Sequence, residues 1–155
     1  MVQLEKRTAI IRNMRNTVLK IHDVVHSFPG IELRKPNDVD GDVGISVIFM
    51  AENRDKAVEI AKALKAEGLD AGTMGDHNVP DWHVYMHWDH ILNRQGNNDS
   101  GYPFTLSDRK YSRDMCPRTV DLLQRVVHMH ISPRFNDDDV QEILEGLRKV
   151  LGILL

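Results

Sequence analysis

The stretch richest in chemically useful side chains is Asp76–His90 (DHNVPDWHVYMHWDH), which combines imidazole, indole and phenol rings. His83 and His87 are four residues apart, and on a helix they would share one face, as two metal ligands can. Pro80 and the neighbouring aromatic residues argue against a regular helix, and no second cluster has the spacing of a matching half-site. The stretch therefore favours a surface lining a polar ligand cleft, because these rings carry hydrogen-bonding groups on rigid bodies. A metal site and simple ring packing around a loop remain the alternatives.

The segment that follows, from Asn93 to Asp114, is basic. Guanidinium and ammonium groups in such a segment can form a flap over an anionic ligand, and a solvated loop is the alternative. The basic residues are Arg94, Arg109, Lys110 and Arg113.

The single cysteine, Cys116, precedes a predicted helix that begins at Pro117, where a thiolate would be stabilised. Nucleophilic catalysis would also need a base held nearby. His128 or His130 could approach, but nothing in the sequence fixes that distance. We therefore expect Cys116 to be a buried structural residue.

Composition excludes several classes of protein. A chain of 155 residues fits one domain over residues 1–155. The net charge of −3 gives no reason to expect nucleic acid as a partner. No apolar run reaches the roughly 18 residues needed to cross a membrane. One cysteine and a charged, periodic N-terminal segment indicate a reducing compartment and no secretion signal, so we expect a cytoplasmic protein.

The elements that must position these residues begin with a long amphipathic helix. Apolar residues recur every seven positions in two series, which predicts a helix over Val2–Phe28 that Pro29-Gly30 stops. The helix is either a core helix of this domain or one whose first half packs on another domain or subunit. The stripe consists of Leu4, Ile11, Met14, Val18, Ile21, Val25 and Phe28.

The rest of the chain alternates short strands and helices around an irregular middle, 74–115. The order predicts an α/β (α+β) fold, with a small mixed or antiparallel sheet and helices packed on it. Strands are predicted at 31–35, 43–50 and 127–132, with a strand or loop at 69–73; helices are predicted from Asn53 to Glu67, from Pro117 with Val120, Leu123 and Val126, and after Asn136.

The order of segments FPGIEL, DVGISVIFM and NRDKAVEIAKALKAEGL resembles the C-terminal small domain of the DegT/DnrJ/StrS family of pyridoxal-phosphate (PLP) aminotransferases. The resemblance continues through PDWHVYMHWDHIL, YSRDMCPRTVDLLQRVVHMHISPRF and DDDVQEILEGLRKV, and covers almost the whole chain. It implies the small domain of a fold-type I enzyme that moves an amino group from an amino acid to a keto-sugar. Such enzymes are usually cytoplasmic homodimers with shared active sites, and their keto-sugars are often linked to a nucleotide.

In that family the PLP-anchoring lysine and the aspartate that pairs with the pyridine nitrogen lie in a large N-terminal domain. The resemblance therefore implies PLP for the family, but no catalytic, cofactor-binding or metal-binding residue in this chain. Without that lysine and aspartate, transamination has no mechanism. We expect the chain to need a large aminotransferase domain, or to form a homo-oligomer through its first helix. A non-enzymatic binding module and a histidine-rich metal-binding protein are the alternatives.

The resemblance also implies where a sugar or nucleotide-sugar ligand would lie. The stretch from His77 to Tyr85 falls where the family's small domain faces the substrate, and the loop around Arg109 and Arg113 would contact its distal part. The implied substrate-binding residues are His77, Trp82, His83, Tyr85, His87, Arg109, Arg113 and Arg134.

Overall fold

A four-stranded antiparallel sheet lies at the centre of the computed structural model, which describes residues 2–76, 78 and 80–155, with side chains from residue 4 onward. Across the sheet the strand order is β1-β2-β4-β3, so β3 forms an edge and β4 lies between β2 and β3. The strands are β1 (Glu32–Leu33), β2 (Ser46–Met50), β3 (Ala71–Thr73) and β4 (Val126–His130). The register places Ile48 of β2 and Gly72 of β3 on either side of His128.

Three long helices pack with the sheet: α1 (Val2–His26), α2 (Arg54–Ala66) and α5 (Asp137–Leu154). The first helix contacts β1 and β2, the second contacts β3 and β4, and α5 contacts both of these helices. Two shorter helices, α3 (Asp89–Leu92) and α4 (Pro117–Gln124), belong to the long connection between β3 and β4.

Alternate residues of the two central strands form the floor of the hydrophobic core. Val47 and Phe49 of β2 and Val127 and Met129 of β4 are almost completely buried. The helices add Ile21, Val25, Ile60, Leu64, Leu147 and Leu151 to the same cluster. Each such side chain contributes about 1.5–3 kcal/mol on burial. The β2–β4 pair is therefore firmly held. It fixes the position of His128 and His130, residues of β4 on the face opposite the core.

Both helix starts predicted from asparagine caps are confirmed. The Asn53 side chain accepts the N–H of Lys56 at 2.9 Å. At α5, the Asn136 side chain accepts the N–H of Asp139 at 3.0 Å, and the Asp139 carboxylate accepts the N–H of Asn136 at 2.8 Å. Such caps satisfy N–H groups that have no partner inside the helix.

The strand predicted from Val43 begins only at Ser46. Gly44 has a φ of +79°, and a Cβ at this position would lie 3.2 Å from the backbone of Arg15 on α1. The chain therefore turns closely past α1 before it can pair, and glycine permits that turn. Val43 and Ile45 are exposed on this approach rather than buried in a strand.

Smaller corrections concern helix ends. The first helix ends at His26, two residues earlier than predicted, and Phe28 packs against the core from the turn that follows. Val126, predicted on the inner face of α4, instead opens β4, because α4 ends at Gln124.

The expectation that Cys116 is buried is wrong, since the residue is exposed. It occupies the N-cap position of α4 without a capping hydrogen bond from its side chain, and α4 has no buried residue. Its backbone N–H, rather than its thiol, makes the tertiary contact described below.

The predicted fold class is confirmed, and the sheet is the antiparallel one of the two predicted kinds. Within the described part of the chain, no helix combines the length and the apolar character that a membrane span requires.

Candidate functional site

Two neighbouring regions hold the side chains that could bind a ligand. One is the irregular segment between β3 and α4, where most of the predicted site residues lie. The other is a cavity beside β3 that contains two histidines of β4. Asp81 belongs to both, because it lines the cavity and holds the first part of the irregular segment.

Asp81 fixes the turn that carries Trp82 and His83. One oxygen of its carboxylate accepts both the backbone N–H and the ring Nδ1 of His83, each at 2.8 Å. The N–H of His83 is the main reason that the pKa of Asp81 lies below its usual range. The Asp81 carboxylate is therefore an ionised anchor, while the His83 ring stands almost fully in solvent.

Trp82 presents a free aromatic face. Its side chain is 66% exposed, and its ring meets His87 edge-on at a centroid distance of 6.3 Å. The backbone carbonyl of Trp82 accepts the indole N–H of Trp88 at 2.7 Å. This contact closes the turn that ends in the short 3-10 helix Tyr85–His87. An exposed, positioned indole can stack on the apolar face of a sugar or on a base.

Tyr85 uses its hydroxyl group within the protein. The hydroxyl donates to the carbonyl of Arg113 at 2.7 Å and accepts the N–H of Cys116 at 3.1 Å. The Arg113 guanidinium donates to the carbonyl of Met86 and, at 2.7 Å, to the carboxylate of Asp89. Both predicted ligand contacts therefore also join the two ends of the irregular segment.

Arg94 organises the intervening loop, a role that sequence reasoning missed. Its φ is +56°, and its guanidinium donates to the carbonyls of Phe104, Ser107 and Arg109. Two of the basic residues predicted to form a flap therefore bind groups within the chain. Arg94 binds loop carbonyls, and Arg113 binds the carbonyl of Met86 and the carboxylate of Asp89. Arg109 is exposed, and only its backbone carbonyl takes part in this network, as the acceptor of a hydrogen bond from Arg94.

The remaining predicted residues lie apart from this network or outside the description. Arg134 is exposed in the turn after β4, where its N–H donates to Ser132 Oγ at 3.2 Å. His77 lies outside the described residues. The structure therefore brings together Trp82, His83, Tyr85, His87 and Arg113, and it links the backbone of Arg109 to them through the loop.

A cavity of about 530 Å³ opens between α2, β3 and the residues Met74, Asp76, Pro80 and Asp81; we call it the His128 cavity. Its polar groups come from Lys62 and Lys65 on α2, from Asp70, Asp76 and Asp81, and from His128 and His130 on β4. Sequence reasoning did not assign this site, although the alternation VHMHIS places both histidines on one face of a strand.

Gly72 makes room for the His128 ring. A Cβ at Gly72 would lie 2.7 Å from Cε1 and 2.9 Å from Nε2 of His128, so the ring rests directly against the bare backbone of β3. Nδ1 of His128 is buried and has no hydrogen-bond partner among the described residues. Burial, followed by the neighbouring His130, lowers the pKa of His128. The two rings meet edge-on at 5.4 Å.

Within the described residues, no group of three or more His, Cys, Asp or Glu side chains is arranged to hold a metal ion. The arrangement of His83 and His87 is also not the helical pair that would share one face, because only His87 belongs to the 3-10 helix.

No protein-family model matches this sequence. Solved structures match it along its whole length. The aminotransferase TlmJ from Streptoalloteichus hindustanus superposes with a TM-score of 0.68 at 13% identity, over 99% of this chain and 35% of TlmJ. Spr1654 from Streptococcus pneumoniae, assigned as a sugar aminotransferase and solved in its PMP form, gives 0.66 at 14% identity, over 99% of this chain and 34% of its own.

A third structure, 3-amino-5-hydroxybenzoic acid synthase, gives a TM-score of 0.63 at 14% identity, over 97% of this chain and 36% of the synthase. The chain thus spans about a third of the length of each of these proteins. At this level of identity the likeness shows the fold. It confirms that the fold resembles a part of the sugar aminotransferases, as the sequence predicted.

Proposed function

We propose that this chain is the C-terminal domain of a DegT-type, PLP-dependent aminotransferase that transfers an amino group to a keto-sugar in the cytoplasm. The observation that carries this proposal is the superposition of 99% of the chain on one third of proteins named as aminotransferases. The sequence resemblance to the same family, which rests on segment order, supports it independently.

In this proposal the chain supplies one wall of the substrate site. Trp82 offers an aromatic face to a sugar or base, and His83 and His87 add hydrogen-bonding rings beside it. The bonds of Asp81 and Tyr85 hold this wall in place. Arg109 remains the predicted contact for a distal anionic group, since its side chain is exposed. His77 and Arg134 are further substrate contacts in this proposal, as the sequence resemblance implies.

The residues of this chain do not fit PLP by themselves. Lys62 and Lys65 line the His128 cavity from exposed positions on α2, whereas an aldimine lysine works in a site closed from water. Lys56 and Lys149 pair at the surface with Glu59 and Glu67. When bound in its own domain, PLP supplies the electron sink for transamination.

The surface of α1 supports the need for a further domain or subunit. Leu4 and Leu19 are 69% and 59% exposed, and Val39 is equally open on the facing loop. A groove of about 710 Å³ runs between the second half of α1 and residues 31–44, with Val18, Leu19 and Leu33 among its walls. Exposed apolar surface of this kind is typical of an interaction site.

The test is to isolate the chain from its native cell with an affinity tag, reduce the preparation with borohydride and map the phosphopyridoxyl-lysine by mass spectrometry. We expect the modified lysine on a co-purifying polypeptide or on sequence joined to this chain. The same preparation should transfer the amino group of glutamate or glutamine to a nucleotide-linked keto-sugar. A single stoichiometric adduct on a lysine of residues 1–155 would contradict the proposal.

The second candidate function is that of a binding module with the same fold and no catalytic activity. The observation that favours it is the internal satisfaction of the loop, in which Tyr85, Arg94 and Arg113 are bonded within the chain itself. Under this alternative, nucleotide-sugar binds to the isolated chain, and no PLP-bearing polypeptide accompanies it. Titration of UDP-glucose monitored by the fluorescence of Trp82 and Trp88, together with the borohydride experiment, separates the two candidates.

A further inference from the structure

The His128 cavity has two walls of opposite charge. Lys62 and Lys65 lie three residues apart on α2, and residues at this spacing are neighbours on a helix surface. The other wall, formed by β3 and the segments next to it, carries Asp70, Asp76 and Asp81. No described carboxylate lies within ion-pair distance of either lysine, so both ammonium groups are available to a ligand.

Two carboxylates of the second wall, those of Asp76 and Asp81, are held by hydrogen bonds and ionised. The backbone N–H of Asn78 is the main cause that lowers the pKa of Asp76, as that of His83 is for Asp81. The side chain of Asp81 is only 27% exposed, and no described group donates to its second oxygen. This carboxylate is thus partly enclosed, and it retains an acceptor oxygen for a ligand.

The floor between the walls is apolar and roomy. Val58 and Ala61 of α2, together with Ala71, Met74 and Pro80, line it. Because Gly72 has no side chain, the His128 ring occupies the space where a side chain on β3 would stand. The volume of about 530 Å³ is within the range of small-molecule sites.

We propose that the His128 cavity binds a free, zwitterionic α-amino acid with an apolar side chain. Its carboxylate meets Lys62 and Lys65, its ammonium group meets Asp81 with Asp76, and its side chain covers the apolar floor. A ligand with only one charge would leave one wall unpaired, because a simple amine would face the lysines and a simple carboxylate would face the aspartates.

This inference goes beyond the proposed aminotransferase function. An amino donor of that reaction reacts at the cofactor, which another domain would hold, whereas the His128 cavity lies entirely within this chain. Binding at the cavity also connects to the predicted substrate wall, because Asp81 holds the Trp82–His83 turn.

The experiment titrates the 155-residue chain with L-leucine by calorimetry and follows the histidine Cε1–H signals by NMR. N-acetyl-L-leucine, which lacks the ammonium charge, and L-leucine methyl ester, which lacks the carboxylate, serve as matched probes. We expect L-leucine to bind and to shift the signals of His128 and His130, and both derivatives to bind about tenfold more weakly or not at all. Equal binding of a derivative, or no binding of L-leucine, overturns the proposal.

Variants locate the binding to the cavity. Asp81→Asn and the double variant Lys62→Gln/Lys65→Gln should each weaken L-leucine binding by about tenfold. Asp108→Asn and Lys6→Gln each remove one charge, negative and positive respectively, at exposed positions outside the cavity and should leave the affinity unchanged. Unchanged affinity in both cavity variants overturns the assignment.

A folding control keeps this result interpretable. Because Asp81 also holds the His83 turn, the far-ultraviolet circular dichroism of each variant is compared with that of the parent chain. The lysine variant alters only exposed side chains, so its affinity decides the question if Asp81→Asn unfolds. The titration uses no PLP and no keto-sugar, so its failure leaves the aminotransferase proposal standing, and the reverse also holds.

Discussion

The hydroxyl group of Tyr85 donates a hydrogen bond of 2.7 Å to the carbonyl of Arg113, 28 residues further along the chain. The guanidinium of Arg113 returns to the same region, where it reaches the carbonyl of Met86 and the carboxylate of Asp89. Each of the two side chains therefore binds backbone next to, or at, the other residue: Tyr85 at the Arg113 carbonyl, and Arg113 at the Met86 carbonyl. This reciprocal contact gives order to a segment that has almost no regular secondary structure, and so keeps Trp82 and His87 near one another.

Removing that hydroxyl should loosen the segment without unfolding the domain. In Tyr85→Phe the ring stays, and the bonds to Arg113 and to the N–H of Cys116 are lost. We expect a loss of about 1–3 kcal/mol in the free energy of unfolding, since each of the two bonds contributes about 0.5–1.5 kcal/mol, and faster amide hydrogen exchange at Cys116. Exchange in α5 should not change.

The matched control is Tyr102→Phe, because the side chain of Tyr102 is exposed. Equal exchange at Cys116 in Tyr85→Phe and in the parent chain would show that the hydroxyl does not hold the segment.

The periodic elements of this fold could be predicted from sequence because their burial follows the geometry of a helix or strand. The buried part of the α1 stripe, Met14, Ile21 and Val25, and the capped start of α5 at Asn136 are examples. The start of β2 could not be predicted in the same way. The apolar run from Val43 continues through Gly44, whose conformation depends on the passage of α1 and not on its neighbours in sequence.

Only some of the contacts within the predicted ligand segment could be foreseen from the sequence, for a similar physical reason. Aromatic and imidazole side chains mark Trp82 and His83 by type alone. Arg94 and Arg113 bind backbone carbonyl groups within the loop. Every residue has a carbonyl group, so the sequence does not indicate which one an arginine will bind. The His128 cavity depends on the absence of a side chain at Gly72, and that absence matters only once β3 pairs with β4.

Replacing Arg94 should affect the loop that it organises and little else. Arg94→Lys retains the charge but loses the planar fork that reaches the carbonyls of Phe104, Ser107 and Arg109. We expect trypsin to cleave after Arg109 and Lys110 several times faster, while the melting temperature stays within about 2 °C, because the loop buries little apolar surface.

Arg7→Lys makes the same substitution at an exposed position of α1 and should leave the cleavage rate at the loop unchanged. Parent-like cleavage of Arg94→Lys would show that the three carbonyl contacts do not restrain the loop.

The exposed apolar residues of α1 and its facing loop should cause the isolated chain to self-associate. Leu4 at one end of α1, and Leu19 with Val39 further along, would be removed from water in such an oligomer. The triple variant Leu4→Ser/Leu19→Ser/Val39→Ser should weaken association at least tenfold in sedimentation equilibrium, since each buried side chain contributes about 1.5–3 kcal/mol. Leu106→Ser, which removes an exposed leucine elsewhere, is the control. A parent chain that stays monomeric at millimolar concentration would contradict this prediction.

Two half-buried histidines should make the domain less stable in mild acid. Burial is the largest cause that lowers the pKa of both His22 and His128 below 6.5, and it outweighs the opposing effects of Asp42 on His22 and of Asp70 on His128. Below pH 6.5 the unfolded chain therefore binds more protons than the folded chain. The stabilising contribution is complete above 6.5 and is lost as the pH falls through the lower folded-state pKa values.

Urea denaturation at intervals from about pH 8 to about pH 5 measures this loss, in a range where carboxylates change their charge little. The free energy of unfolding of the parent chain should decrease across the interval. In the double variant His22→Gln/His128→Gln the decrease should be smaller, because the side chains that take up the extra protons on unfolding are gone. His90→Gln removes an exposed imidazole, and its free energy of unfolding should change with pH as that of the parent chain does. The pKa values of Asp76, Asp81 and Asp114 are lowered from 3.8, so these carboxyl groups titrate below the measured pH range and do not mask the effect. An unfolding free energy that rises toward pH 5 would mean that protonation of these rings is favoured in the folded chain, which is the opposite of what their burial predicts.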